Sequence, residues 1–222
     1  METTFLNIRL FYCLMKLIMF DYDGVIMDTF AFTKQIYKEL GKEFKINIPD
    51  DEKEFRELLE LDWRETLKKL NIVTKTQLEK NEEIFKKGLK KYSKLIKPYN
   101  GIPETLKMLS KKYILTVVTN NYKSEVDYRL SRYKLSSYFR GYFAEDDGDL
   151  KPKPDILLKC LKKFNISPKD AFYVGDMDGD IIAGKAAKVK TIAVTYGFHT
   201  KKKLKDADIM VDSPRELITL LN

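Results

Sequence analysis

Residues Ile18 to Asp28 read IMFDYDGVIMD: an apolar run stops abruptly at Asp21, and a second carboxylate follows at Asp23 with Gly24 directly behind it. A short apolar run without polar alternation predicts a strand buried on both faces, which is what parallel sheets require. Ligands of such sheets bind beyond the carboxyl ends of the strands. Two like charges placed at such an end repel each other and lose hydration, so they call for a counter-charge or for chemistry that uses them.

The same kind of run recurs at 113–120 (YILTVVTN), 171–176 (AFYVGD) and 190–196 (KTIAVTY). Helical periodicity fills 102–112, 123–135, 154–164, 179–188 and 213–221. Strands alternating with helices predict an α/β fold with a parallel sheet and right-handed crossovers. From about residue 30 to 97 the alternation stops and only helical stripes remain: Phe32, Ile36, Leu40; Phe55, Leu58, Leu59; Trp63, Leu67, Leu70; and Phe85, Leu89, Tyr92, Ile96. Gly41 reads as a helix C-cap within this block. The expected organisation is a core made of 15–29 and 99–222, interrupted by a four-helix insert over 30–98. The crossings near 29–31 and 97–101 would act as a hinge. Residues 1–14, ahead of Met15, read as a dispensable N-terminal extension.

Composition narrows the partners. The chain has 222 residues, 44% hydrophobic and 33% charged, which suits a soluble globular protein with room for a core and a satellite domain. Its net charge of +8 raises the question of nucleic acid. The lysines, however, are scattered pairs such as Lys68-Lys69, Lys90-Lys91 and Lys162-Lys163 on segments that also carry glutamate, so no nucleic-acid partner is expected. The apolar N-terminal stretch is interrupted by Arg9 and Lys16, too short and too charged for a membrane span. Cys13 and Cys160 form no metal or disulfide pattern, and His199 is the single histidine. A reducing, cytoplasmic setting is the expectation, and histidine-based zinc sites and triads are set aside.

The carboxyl ends of the strands gather Asp21 and Asp23, then Thr119 and Asn120, then Asp176 and Asp180, with Lys151 delivered by GDLKPKPD. Carboxylates without histidine or thiolate favour a hard cation, and Mg2+ is the usual one. Magnesium accepts substrate phosphate oxygens, so the set reads as a phosphoryl-transfer site. One aspartate of the first pair would then be the nucleophile and the other would handle protons.

DYDGV at 21–25, VVTN at 117–120, Lys151 in KPKP and GDMDGD at 175–180 resemble, in this order, the four motifs of the haloacid dehalogenase superfamily of phosphohydrolases. The insert resembles the helical cap of the branch that contains phosphoglycolate phosphatases and β-phosphoglucomutases. The resemblance implies a Rossmann-like core with a cap, a Mg2+ cofactor and a small phosphorylated metabolite as substrate, phosphoglycolate being the natural candidate. Asp21 would attack phosphorus and Asp23 would act as acid and then base. Metal would be held by Asp21, the Asp23 carbonyl, Asp176 and, directly or through water, Asp180. Thr119 and the backbone around Asn120 would bind the phosphoryl group, Lys151 would pair with Asp21, and Gly24 would allow the turn.

Duller readings accompany each. Thr119 alone suits a turn cap, and Lys153 competes with Lys151. The 176–180 acids mimic a calcium loop, but its closing glutamate position is Ala187, which rejects that reading. Glu60 and Trp63 either face substrate or pack on a helix face. A phosphomutase and an inorganic pyrophosphatase are the functional alternatives. A dehalogenase would need neither Asp23 nor Asp176, and a phospho-acceptor signalling module would place its acids in a different order. Either a monomer or a homodimer is compatible with the sequence.

Overall fold

In the computed structural model, which describes residues 15–144 and 150–221, the opening apolar run is strand β1 (Lys16–Phe20). The expected extension over 1–14 lies outside the described residues. Leu17, Ile18, Met19 and Phe20 are all fully buried. Leu17 and Met19 join one core cluster, while Ile18 and Phe20 join the other. That alternation is the two-residue pleat of a strand covered on both faces.

After β1 the chain turns at Gly24, whose φ of 75° suits glycine, and forms β2 (Met27–Asp28). The helical insert comes next: α1 (Phe30–Phe44), α2 (Glu52–Leu58), α3 (Trp63–Lys69) and α4 (Lys75–Lys91). Asp51 and Asp62 cap α2 and α3 by accepting from the amides of Glu54 and Arg64. Thr74 and Gln77 form a reciprocal capping box on α4. The chain returns through β3 (Lys97–Pro98), antiparallel to β2, so the two crossings are joined as a small ribbon.

Two details of the insert differ from the sequence reading. Gly41 lies inside α1, and the left-handed residue that ends the helix is Lys45. Glycine is needed at 41 because a Cβ there would come within 2.7 Å of the Ile46 carbonyl oxygen and 2.8 Å of the Ile48 side chain. The fourth helix stops at Lys91, and a 3-10 turn over Ser93–Leu95 carries the chain to Ile96, which is buried beyond the helix.

The core continues with α5 (Ile102–Leu109), β4 (Tyr113–Val118), α6 (Lys123–Arg132), β5 (Gly141–Phe143), α7 (Asp155–Phe164), β6 (Ala171–Gly175), α8 (Asp178–Ala186), β7 (Lys190–Val194), β8 (Ile209–Val211) and α9 (Pro214–Leu221). The main sheet has six strands in the order β5-β4-β1-β6-β7-β8, and every neighbouring pair is parallel. This is the Rossmann-like arrangement with an inserted helical cap. The edge strands β5 and β8, three residues each, carry too little pattern to be read from sequence.

The strand order reverses between β1 and β6: β4 and β5 lie on one side of β1, and β6 to β8 lie on the other. At such a switch point adjacent crossovers leave in opposite directions and open a crevice at the carboxyl edge. There the Asp21 amide donates to the Val174 carbonyl at 2.8 Å, which pins the end of β1 against β6.

Candidate active site

Asp21 follows β1 and Asp176 follows β6, so the switch point itself brings them together. Asp180, in the first turn of α8, joins them, and the three offer carboxylate oxygens all within 4.8 Å of one another. Each of the three is nearly or wholly buried. Lys151 enters from the loop before α7 with 1% exposure. Its ammonium lies 2.9 Å from Asp21 Oδ1 and 2.7 Å from Asp180 Oδ1, and it donates to the Tyr173 hydroxyl at 2.7 Å. Lys153 is exposed, so the geometry separates the two lysines.

Burial pushes the Asp21 carboxyl up from 3.8 to about 7, against the pull of Lys151 and with the help of Asp180. Burial, then the charges of Asp180 and Asp21, hold Asp176 well above the ordinary carboxylate range. Burial opposes the charge on Lys151, but Asp180 and Asp21 outweigh it and keep the ammonium protonated. The Tyr173 phenol is likewise pushed up, by burial and by Asp180, and donates to Asp180 Oδ1 at 2.8 Å.

The acids differ in what they have left to offer. Asp180 Oδ1 accepts from Lys151 and Tyr173, and its Oδ2 accepts from the amides of Asp176 and Met177 at 3.2 and 3.1 Å. Asp176 Oδ2 accepts from the Phe198 amide at 2.6 Å, whereas its Oδ1 is buried without a hydrogen-bond partner. A buried, unpartnered carboxylate oxygen is costly. In a cluster of oxygen donors, a hard divalent cation is the group that would satisfy it. The residues therefore fit a metal, with Asp21 and Asp176 the acids able to ligate and Asp180 held by four donors.

Two glycines make room for Asp176. A Cβ at Gly24 would stand 2.0 Å from Asp176 Oδ2, and one at Gly197 would stand 2.3 Å from it. The requirement for glycine at 24 is thus set by the Asp176 carboxylate as much as by the left-handed turn.

Asp23, half-buried, accepts from the Asn121 side-chain amide at 2.9 Å. Burial raises its pKa, and the Asn121 bond holds it back only in part. Thr119, two residues before Asn121, accepts from the Asn121 backbone amide at 3.1 Å, a bond that leaves the hydroxyl proton able to donate. The Asn120 side chain turns the other way, donating to the Lys151 carbonyl at 3.0 Å and accepting from the Lys151 amide at 2.9 Å. That two-point clamp fixes the backbone from which Lys151 reaches inward.

Asp21, Asp23, Thr119, Asn120 and Lys151 line the floor of one cavity of about 1030 Å³ that extends under the cap; Glu60 and Trp63 line its upper wall. Asp178, 40% exposed at its side chain, stays outside the cluster. Four participants escape sequence reasoning: Tyr173, Asn121, Arg56 and His199. Asn121 carried a signal, as a third polar residue after a buried strand. Tyr173 reads as an ordinary strand aromatic.

Arg56 and His199 join the cap to the core. From α2, Arg56 Nη1 donates to the carbonyls of Gly197 and Phe198, the latter at 2.9 Å, and its guanidinium stacks 4.0 Å from the Phe30 ring. His199 Nδ1 accepts from the Asp178 amide at 3.1 Å, so the neutral ring carries its proton on Nε2 and donates to the Leu59 carbonyl, also at 3.1 Å. Burial lowers the His199 pKa, which favours that neutral form.

Three comparisons bear on these features. A family described as haloacid dehalogenase-like hydrolase matches residues 18–194. A phosphoglycolate phosphatase from Aquifex aeolicus is 33% identical over 221 residues, 94% of this chain and 97% of that one. A pyrophosphatase from Oceanobacillus iheyensis is 23% identical over 93% of this chain and 96% of its own. Among solved structures, a hydrolase from Pseudomonas syringae superposes with a TM-score of 0.80 at 21% identity, covering 93% of this chain and 97% of that one, which is a likeness of fold.

Proposed function

The chain belongs to the haloacid dehalogenase-like hydrolases and is a phosphatase of that family, and from this premise we propose that it hydrolyses a small phosphomonoester with Mg2+ through an aspartyl-phosphate at Asp21. The observation that carries the reading is the buried contact of Lys151 with both Asp21 and Asp180, beside an Asp176 oxygen that no protein group satisfies.

Asp21 and Asp176, with the Asp23 carbonyl, would hold the ion, which when bound neutralises the carboxylates and the phosphoryl oxygens. Lys151 balances the charge at Asp21 and meets the transferring phosphoryl group. Thr119 donates its hydroxyl to a phosphoryl oxygen. Asp23, raised by burial and steadied by Asn121, gives its proton to the departing alcohol and later takes one from the hydrolytic water. Asp180 acts by position: it anchors Lys151 and Tyr173 on one oxygen and the Asp176–Met177 backbone on the other.

The same reading takes 15–29 and 99–222 as one body and 30–98 as a cap that opens on the β2–β3 ribbon. Closure would bring Arg56 and His199 onto their partners and shut out bulk water. The names of the relatives leave phosphoglycolate and pyrophosphate as first substrates to try. A phosphomutase would need a cap group to return phosphate to a second substrate. The two cap lysines that line the cavity, Lys75 and Lys86, face Glu79 and Glu82 instead.

Purified protein is expected to release phosphate from p-nitrophenyl phosphate with Mg2+, and to lose at least about 100-fold of that rate in excess EDTA. Equal rates with and without chelator would remove the metal from the reading.

A further inference from the structure

The cavity above the acid cluster is much larger and less polar than its floor. Its volume, about 1030 Å³, stands at the top of the roughly 300–1,000 Å³ range of pockets for drug-sized ligands. Phosphoglycolate or pyrophosphate would fill a corner of it. The upper wall carries Phe32, Ile36, Leu78, Phe85 and Leu89 from α1 and α4, and Trp63 from α3. The Phe32 and Phe85 rings meet edge to face with centroids 5.9 Å apart, so the two helices form one apolar face.

The charges around that face are paired with one another and form no cluster of cations for a second anion. Beyond Lys151 at the floor, the described residues lining the cavity include two cations, Lys75 and Lys86, and four carboxylates on the cap and rim, Glu60, Glu79, Glu82 and Glu125. Lys86 is 2.6 Å from Glu82, and Lys75 is 4.0 Å from Glu79. Glu125 is taken by the buried Arg129 at 2.5 Å, and Glu60 by Lys69. A carboxylate or second phosphoryl group carried past the floor would meet an apolar wall whose fringing charges are already paired, where its own charge is poorly solvated. The cavity belongs to a closed arrangement, because Arg56 and His199 already bind the cap to the core.

We propose that the natural substrate is the phosphomonoester of an uncharged, largely apolar alcohol, alkyl or aryl, whose body occupies the face formed by α1, α3 and α4. This rests on the phosphatase reading and gives it a substrate class. Phosphate is held on the floor, and selectivity comes from the transfer of apolar surface out of water.

The test is a series of alkyl monophosphates from ethyl to octyl, run with Mg2+ beside phosphoglycolate, pyrophosphate and p-nitrophenyl phosphate. Each buried methylene is worth up to about a fourfold gain in kcat/KM. Octyl phosphate is therefore expected to exceed both ethyl phosphate and phosphoglycolate at least about thirtyfold. A flat series, or a preference for phosphoglycolate or pyrophosphate, overturns the inference while leaving the phosphatase reading intact. Failure of every ester, p-nitrophenyl phosphate included, overturns the phosphatase reading.

Binding can be read without turnover, since Trp63 is the one tryptophan of the chain and lines the cavity. In EDTA, octyl phosphate is expected to shift its emission saturably, and phosphoglycolate at equal concentration is not; the same response to both rejects the apolar site. Leu78→Lys, at a position 37% exposed, should lower the octyl-to-phosphoglycolate ratio about tenfold, and an unchanged ratio excludes that wall as the determinant.

Discussion

Asp21→Asn is expected to lower phosphate release by about 10⁴-fold or more, the scale seen when a covalent nucleophile is removed, while the protein stays folded. Asparagine keeps the shape of the side chain, and its carbonyl can still accept from the Lys151 ammonium that lies 2.9 Å from Asp21 Oδ1. What it loses is the negative oxygen that attacks phosphorus. The substitution also removes one of three carboxylates packed within 4.8 Å, a group that burial has already pushed up to about 7. Thermal unfolding in EDTA should accordingly be unchanged or slightly higher, which separates lost chemistry from lost structure. Undiminished turnover in a folded Asp21→Asn protein would remove Asp21 as nucleophile. Asp23→Ala supplies the contrast: with Asp21 present and the proton handler absent, a phosphorylated Asp21 should build up and be visible by mass after acid quench. Hydrolysis at the parental rate in that variant would end the proton-transfer role.

The contrast also shows where sequence was informative. Asp21, Thr119 and Asp176 are legible because each sits at the end of, or just beyond, a segment with its own strong pattern, and a parallel sheet sends all such ends to one edge; Lys151 is legible only through the KPKP motif that carries it. Leu17 to Phe20 carry the strand signal in four consecutive buried residues. Three-residue edges such as Ile209–Val211 carry none. The clamp of Asn120 on Lys151, the Tyr173 hydroxyl on Asp180 and the grip of Arg56 on the Gly197–Phe198 backbone join residues separated along the chain. No local periodicity encodes them. Gly41 misleads for a related reason: glycine near a helix end usually marks a cap, but here a close approach by Ile46 and Ile48 demands it inside the helix. The acid cluster is readable, but the division of labour within it is not. That Asp180 is saturated by four donors while Asp176 keeps a free oxygen emerges only from the fold.

Lys151→Met is expected to cost both activity and stability, and the stability loss should depend on pH in a direction the site dictates. Methionine matches the length and apolar stem of lysine, so packing is largely kept, but the ammonium that lies between Asp21 and Asp180 is gone. Removing one partner of a buried ion pair typically costs about 3–5 kcal/mol, because the remaining charge is left uncompensated. Losing a preorganised charge at the reacting centre should lower kcat by about 10²–10³-fold. Asp21 can escape the uncompensated charge only by taking up a proton. Asp21 already sits at about 7 with Lys151 beside it, and without the ammonium it moves higher. A carboxyl raised in the folded state favours folding while it is protonated, below the unfolded value of 3.8. That contribution is lost as pH rises through the folded value. The Lys151→Met protein in EDTA should therefore lie close to the parent at about pH 5 and fall progressively behind it towards about pH 8.5. Mg2+ should restore part of the difference, since the ion supplies positive charge to the same oxygens. Denaturant midpoints for both proteins at the two pH values decide the matter. A deficit of equal size at both ends of that range would assign the loss to packing and would deny Lys151 its place as the counter-charge of the buried acids.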